Sequence, residues 1–236
     1  MPSTTKSLNH LFGCPVASLL LCCLITLGVS CAADTQAAET ESYRYLQQSG
    51  KTEEHFDWIL QQQEEPLLRA IGPVEEHQTL MDSAMATRRW ELNIPQSETC
   101  VEARREGNSI LLRGRWRGKP LDRTLDIDEA PWFQALSVSL RPFLKQPQTS
   151  IEFWTLRPDK LTVHKILASK KGREPLLLDG QEVMADKVEI TMTGLAAWLG
   201  RGRYWFRASD NVLLRYQGPG GLPGVPSTLI NLVPDL

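Results

Sequence analysis

The sequence predicts a mainly β protein: a single curved antiparallel sheet, half-barrel-like, with one helix packed near residues 131–140. Three observations carry this. Successive short segments alternate apolar and polar residues with period two, the pattern of strands with one buried and one wet face. Turn-forming residues punctuate them, among them Glu106-Gly107-Asn108, Asp179-Gly180 and Asp210-Asn211. Only one stretch repeats its apolar residues at helical spacing.

Taken in chain order, the first feature is an address. Lys6 precedes an apolar run from Pro15 to Ser30 that closes on Cys31-Ala32-Ala33. Such a run matches the roughly 7–15 apolar residues of a secretory signal peptide and falls short of the ~20 a spanning helix needs. Residues 1–33 are therefore expected to be a leader. Two cleavage readings stand side by side. Leu27-Gly28-Val29-Ser30-Cys31 resembles a bacterial lipobox, which would make Cys31 a lipidated N-terminus, although Gly28 departs from the usual Leu or Val. In the other reading an ordinary signal peptidase cuts after Ala32 or Ala33. Either way the protein is expected in the periplasm or outer membrane of a Gram-negative bacterium. A lipid on Cys31 would be its membrane contact, and Ala32 behind it favours the outer membrane by resemblance to bacterial sorting rules.

Residues 34–41 read as a short polar tether, and 42–236 as one β-rich domain of about 200 residues, ample for a single core. Once the leader is gone, Cys100 is the one cysteine left in the fold, so no disulfide framework is expected and the thiol is expected to be buried and inert. Tyr43–Leu46 and Phe56–Leu60 read as strands around a Ser49-Gly50 turn. Alternation is clearest in Trp90–Ile94, Ile110–Arg117 and Leu121–Ile127, with a turn expected at Gly118-Lys119-Pro120. Trp132, Phe133, Leu136 and Leu140 recur at helical spacing after Pro131, which suits a first helical turn, and Pro142 ends the run. Beyond it, Ile151–Trp154, Leu161–Ile166, Val188–Met192, Tyr204–Arg207, Val212–Tyr216 and Ser227–Ile230 are again strand-like.

From Asp126 onwards the chain resembles a family of uncharacterised bacterial envelope proteins. The residues that carry the resemblance are Pro131-Trp132-Phe133-Gln134, then Phe153-Trp154 with Arg157-Pro158, then Lys187-Val188-Glu189-Ile190 and Thr193-Gly194. Tyr204-Trp205-Phe206, Leu214-Arg215-Tyr216-Gln217-Gly218 and Gly224-Val225-Pro226-Ser227-Thr228 complete the order. The strand succession with one helix is also similar, at fold level, to the open half-barrel of bacterial lipoprotein carriers, which implies a curved sheet cradling acyl chains.

Candidate chemistry is sparse. Glu53-x-His55-x-Asp57 would share one strand face, as a metal site requires, but a solvated face produces the same pattern, and no metal is expected. Asp126-x-Asp128-Glu129 lacks the glycine and terminal Glu of a calcium loop and reads as helix N-terminal capping. Gly218–Pro226 lacks the Gly-Lys-Ser/Thr of a phosphate loop and reads as a rigid connection. No nucleophile elbow or acid–base pair stands out, so no catalytic residues, no cofactor and no enzyme are expected. A net charge of -2 gives no case for nucleic acid. The arginines Arg113, Arg115, Arg117, Arg201, Arg203, Arg207 and Arg215 occupy the polar phase of their strands and read as a solvated face. What remains is a surplus of aromatics: Trp132, Phe133, Phe153, Trp154, Trp205 and Phe206. They suggest an exported, non-catalytic binding or carrier module holding a lipid-like ligand between sheet and helix. The alternative is an envelope assembly protein that holds a protein partner on a sheet face or edge.

Overall fold

The computed structural model describes residues 39–193, 201–218 and 227–234; the leader, Cys31, tether residues 34–38, Gly194 and the Gly/Pro-rich run 219–226 lie outside the described residues. Fourteen strands form one antiparallel sheet: β1 (Glu39–Ser49), β2 (Thr52–Gln62), β3 (Leu67–Ile71), β4 (Glu76–Met81), β5 (Thr87–Ile94), β6 (Thr99–Glu106), β7 (Ser109–Trp116), β8 (Lys119–Asp126), β9 (Ser150–Arg157), β10 (Thr162–Leu178), β11 (Gln181–Met192), β12 (Arg201–Arg207), β13 (Leu213–Gly218) and β14 (Thr228–Leu232). Their order runs from β8 back to β1, then β14 back to β9, so β8 and β9 are the two edges and the sheet stays unclosed. β1 already begins within the expected tether, with Glu39, Thr40 and Glu41 opposite Gln62, Gln61 and Leu60.

The turns explain much of the register. Gly107, Asp179-Gly180 and Asn211 all take the positive φ that tight hairpins demand. The turn expected at Gly118-Lys119-Pro120 lies one residue earlier: Arg117 and Gly118 have φ of 51° and 75°, and Lys119 and Pro120 already belong to β8. Pro120 is tolerated there because β8 is an edge strand, whose outer side needs no ladder donor.

Two apolar cores follow from the way the strip curls. The first, inside the curl, gathers Tyr45, Trp58, Leu60, Phe153, Ile166, Phe206 and Leu214 with the helical segment's Val138, Leu140 and Phe143. The second joins the concave side of β5–β7 (Trp90, Leu92, Val101, Ala103, Ile110, Leu112) to Trp132, Leu156 and Leu161. Phe153 (0 % exposed) and Leu156 (1 %) alternate along β9 and enter different cores, so β9 is buried on both faces. One face of β9 therefore packs among the β5–β8 side chains of the second core.

The connection from β8 to β9 differs from the expected helix. Trp132 is not helical: it bridges to Trp154 in parallel, and helix begins later, as α1 (Leu136–Ser139) and α2 (Arg141–Lys145). The reason is the bare edge of β9. Trp154 N–H donates to the Pro131 carbonyl and Phe133 N–H to the Trp154 carbonyl, each at 2.8 Å. The Gln134 amide then accepts from Leu156 N–H at 3.1 Å and donates to Leu156 C=O at 2.9 Å. On its other side the segment meets β5, with Thr87 N–H donating to the Trp132 carbonyl at 2.7 Å. Satisfying these edge groups outweighs the helical spacing of the side chains.

Asp128 consequently caps no helix. It accepts from Ala130 N–H at 2.9 Å, from Trp154 Nε1–H at 2.7 Å and from the Lys165 ammonium. The Lys165 bond, then the Trp154 and Ala130 bonds, hold its carboxyl down to about 2. Because this lies below the unfolded value of about 3.9, the stabilisation is full above about pH 4 and fades as pH falls towards 2. Asp128→Asn should flatten the stability profile across that window in urea titrations; a variant with the wild-type acid slope would remove Asp128 as its source.

Cys100 is also exposed rather than buried, because it sits on the outward phase of β6 between inward Thr99 and Val101. Glu53, His55 and Asp57 do share a face of β2. There Asp57 pairs with Arg44 at 2.9 Å and Glu53 accepts from Gln48 at 3.2 Å, so these two bind their neighbours on β1. No group of three potential metal ligands is assembled among the described residues.

Candidate functional site

Alternation along β1, β2 and β5 aims Tyr45, Phe56, Trp58 and Trp90 into the curl, while β12 and β13 contribute Tyr204 and Tyr216 from the other half. Tyr45 stacks on its cross-strand partner Phe56 with ring centroids 5.4 Å apart, and Tyr204 meets its partner Tyr216 at 4.7 Å. These six aromatic rings, with Leu68, Leu213 and Ile230, line a partly open cavity of about 420 Å³. That is within the roughly 300–1,000 Å³ typical of small-molecule sites.

The helical connection forms one end wall, through Ala135, Leu136 and Ser137. Trp58 Nε1–H donates to Ser137 Oγ at 3.0 Å, tying the wall to β2. Below it, Arg141 pairs with Glu41 at 2.8 Å and lies over the Trp58 ring, with its Nε and one terminal nitrogen buried and unpartnered. A second hollow of about 200 Å³ adjoins the cavity at the end opposite the helices. It shares Phe56, Ala70 and His77 with the cavity and is otherwise lined by Gln47, Glu54, His55 and the Gly72–Glu75 turn.

Several polar groups in the cavity wall are already bonded. Tyr45 donates to the Leu213 carbonyl at 2.9 Å, and burial raises its phenol far above the usual range. Trp90 Nε1–H donates to His77 Nδ1 at 3.3 Å, which leaves the ring proton on Nε2, 3.0 Å from Glu75. That bond holds the Glu75 carboxyl below its ordinary value despite burial. Arg157 binds both oxygens of Asp159, at 3.0 and 2.6 Å.

The aromatic residues singled out from sequence occupy other places. Trp132 and Trp154 pack in the second core, with Trp154 half-buried. Phe133 and Phe153 meet at 4.9 Å in the first core, joined there by Phe206 and Trp205. Trp205 Nε1–H is held by Glu174 at 2.8 Å under the Lys187 ammonium. None of the six lines the 420 Å³ cavity; Phe133 borders a separate hollow of about 190 Å³ beside Phe143. One signal could have found the cavity residues. In Phe56-Asp57-Trp58 the inward phase is fixed by the polar Asp57 on the alternate position, whereas Trp205 between Tyr204 and Phe206 obscures it.

No family model and no curated sequence matches the chain. Among solved structures it is similar to the beta-barrel-like protein of domain of unknown function DUF1849 from Brucella abortus. The likeness covers 84% of this chain and 96% of that one, with a TM-score of 0.58 and 10% sequence identity. At such identity the shared property is the fold: a mainly β, barrel-like curved sheet also found in a bacterial protein of unknown function.

Proposed function

We propose that this protein is an exported, non-catalytic binding module that takes an apolar, lipid-like ligand into the interior of its curled sheet. The observation that carries the reading is the 420 Å³ cavity walled by Tyr45, Phe56, Trp58, Trp90, Tyr204 and Tyr216. Aromatic side chains supply large apolar area with little rotamer freedom to lose, which favours a preformed ligand site. The reading places the ligand between β1–β5 and β12–β14 and against the Ala135–Ser137 wall. The aromatic cluster that first suggested a ligand then supports the site from behind.

A fluorescent apolar probe tests it. The wild-type protein should give saturable emission enhancement, and Ala70→Trp or Ile230→Trp, each of which fills the cavity, should weaken binding about tenfold or more. Unchanged circular dichroism would show that the fold survives. Wild-type binding that persists undiminished in both filled variants would refute the reading. The envelope-assembly alternative draws on the unpaired edge β8 and on exposed Leu177 and Met184 of the β10–β11 hairpin. A stoichiometric protein partner in native mass spectra, in place of bound lipid, would favour it.

A further inference from the structure

Tyr204 and Tyr216 bring two phenol hydroxyls to the cavity wall. The two phenols are built into place. A Cβ added at Gly218 would stand 2.0 Å from the Tyr216 hydroxyl, and one at Gly202 would stand 3.2 Å from the Tyr216 ring. The Tyr216 ring thus lies flat across two glycine backbones, with Tyr204 packed 4.7 Å away between it and Phe206. Burial pushes both phenols above their usual range, so they stay protonated and able to donate.

Charge in the wall is already matched. The Arg157 guanidinium lies on the Asp159 carboxylate, and His77 is bonded on both nitrogens. A carboxylate entering this cavity would have to share the Arg157 guanidinium with Asp159. A cationic head would meet no carboxylate in the cavity wall; Glu54 and Glu75 line the neighbouring hollow, with Glu75 bonded to His77.

Resting on the proposed function, we infer that the ligand is a neutral amphiphile: an apolar chain bearing an uncharged oxygen acceptor, such as an ester carbonyl, that receives hydrogen bonds from Tyr204 and Tyr216. Hydroxyl donors set in a largely apolar wall favour such a group, and they discriminate against a chain that lacks it.

Competition titrations with dodecane, methyl dodecanoate, dodecanoate at pH 8 and dodecylammonium separate the possibilities. Methyl dodecanoate should bind about tenfold tighter than dodecane, the worth of one or two well-made hydrogen bonds. Tyr204→Phe and Tyr216→Phe should each erode that preference, and the double variant should abolish it. Unchanged circular dichroism and saturable probe binding show that the variants keep their fold and still take up an apolar ligand. The inference is overturned if dodecanoate or dodecylammonium binds tightest, or if the ester preference survives in the double variant. Should none of the four displace the probe, the proposed function itself falls, and this inference with it.

Discussion

Trp132→Ala should destabilise the protein by about 3–5 kcal/mol, the range for emptying a fully buried aromatic site. Trp132 is 0 % exposed and fills the space between β5–β7 and β9, where its neighbours Trp90, Leu112 and Leu156 cannot close the gap without moving a strand. Its Nε1–H also donates to Gln134 Oε1 at 3.1 Å, and the same oxygen receives Leu156 N–H. Losing the indole therefore loosens the amide that seals the edge of β9. Urea unfolding measures the loss, and Trp132→Phe, which keeps most of the ring, should fall well short of it. A loss under about 1 kcal/mol for Trp132→Ala would contradict the packing of β5–β8 over β9.

Gly114→Ala should be comparably severe, at about 3 kcal/mol or more, because two independent penalties coincide. Gly114 has φ of 120°, a conformation closed to side-chain-bearing residues, and an added Cβ would stand 2.1 Å from the Cys100 carbonyl oxygen. Both sides of that clash are backbone, so relief requires parting β6 from β7 at the Val101–Gly114 pair. Gly107→Ala is the matched control. Its φ is 58° and nothing lies within 4 Å of an added Cβ, so only about 1–2 kcal/mol of left-handed strain is expected. Equal losses at the two positions in chemical denaturation would show that the β6–β7 contact is not as close as described.

Strand alternation made β5, β7 and β10 legible in the sequence because each keeps one dry and one wet face. β3 (Leu67–Ile71), β4 (Glu76–Met81) and β6 (Thr99–Glu106) were not. Leu67-Leu68 and Ala70-Ile71 are adjacent apolar residues without period two; β4 puts His77 and Thr79 on its inward phase; β6 offers only Val101 and the small Ala103. The helix was displaced for a non-local reason. Trp132 and Phe133 carry helical spacing, but the unpaired edge of Trp154 captures their backbone, and that edge exists only once β9 has no strand beside it. The cavity was hidden for the same kind of reason. Tyr45, Trp58, Trp90, Tyr204 and Tyr216 are separated by up to most of the chain, and only the curvature of the sheet brings them together. Clustering of aromatics in sequence, as at Phe153-Trp154, marked the cores instead, because β9 is buried on both faces.

Where the apolar chain sits can be read directly by intermolecular nuclear Overhauser effects from an isotope-labelled dodecyl ligand to the protein. Ligand inside the curl should give contacts to the Phe56, Trp58, Trp90 and Tyr204 rings and to the Ala70 and Ile230 methyls, all of which border the cavity. Contacts confined to Leu177, Met184 or the outer strand faces, with none to Trp58 or Tyr204, would contradict an interior ligand site.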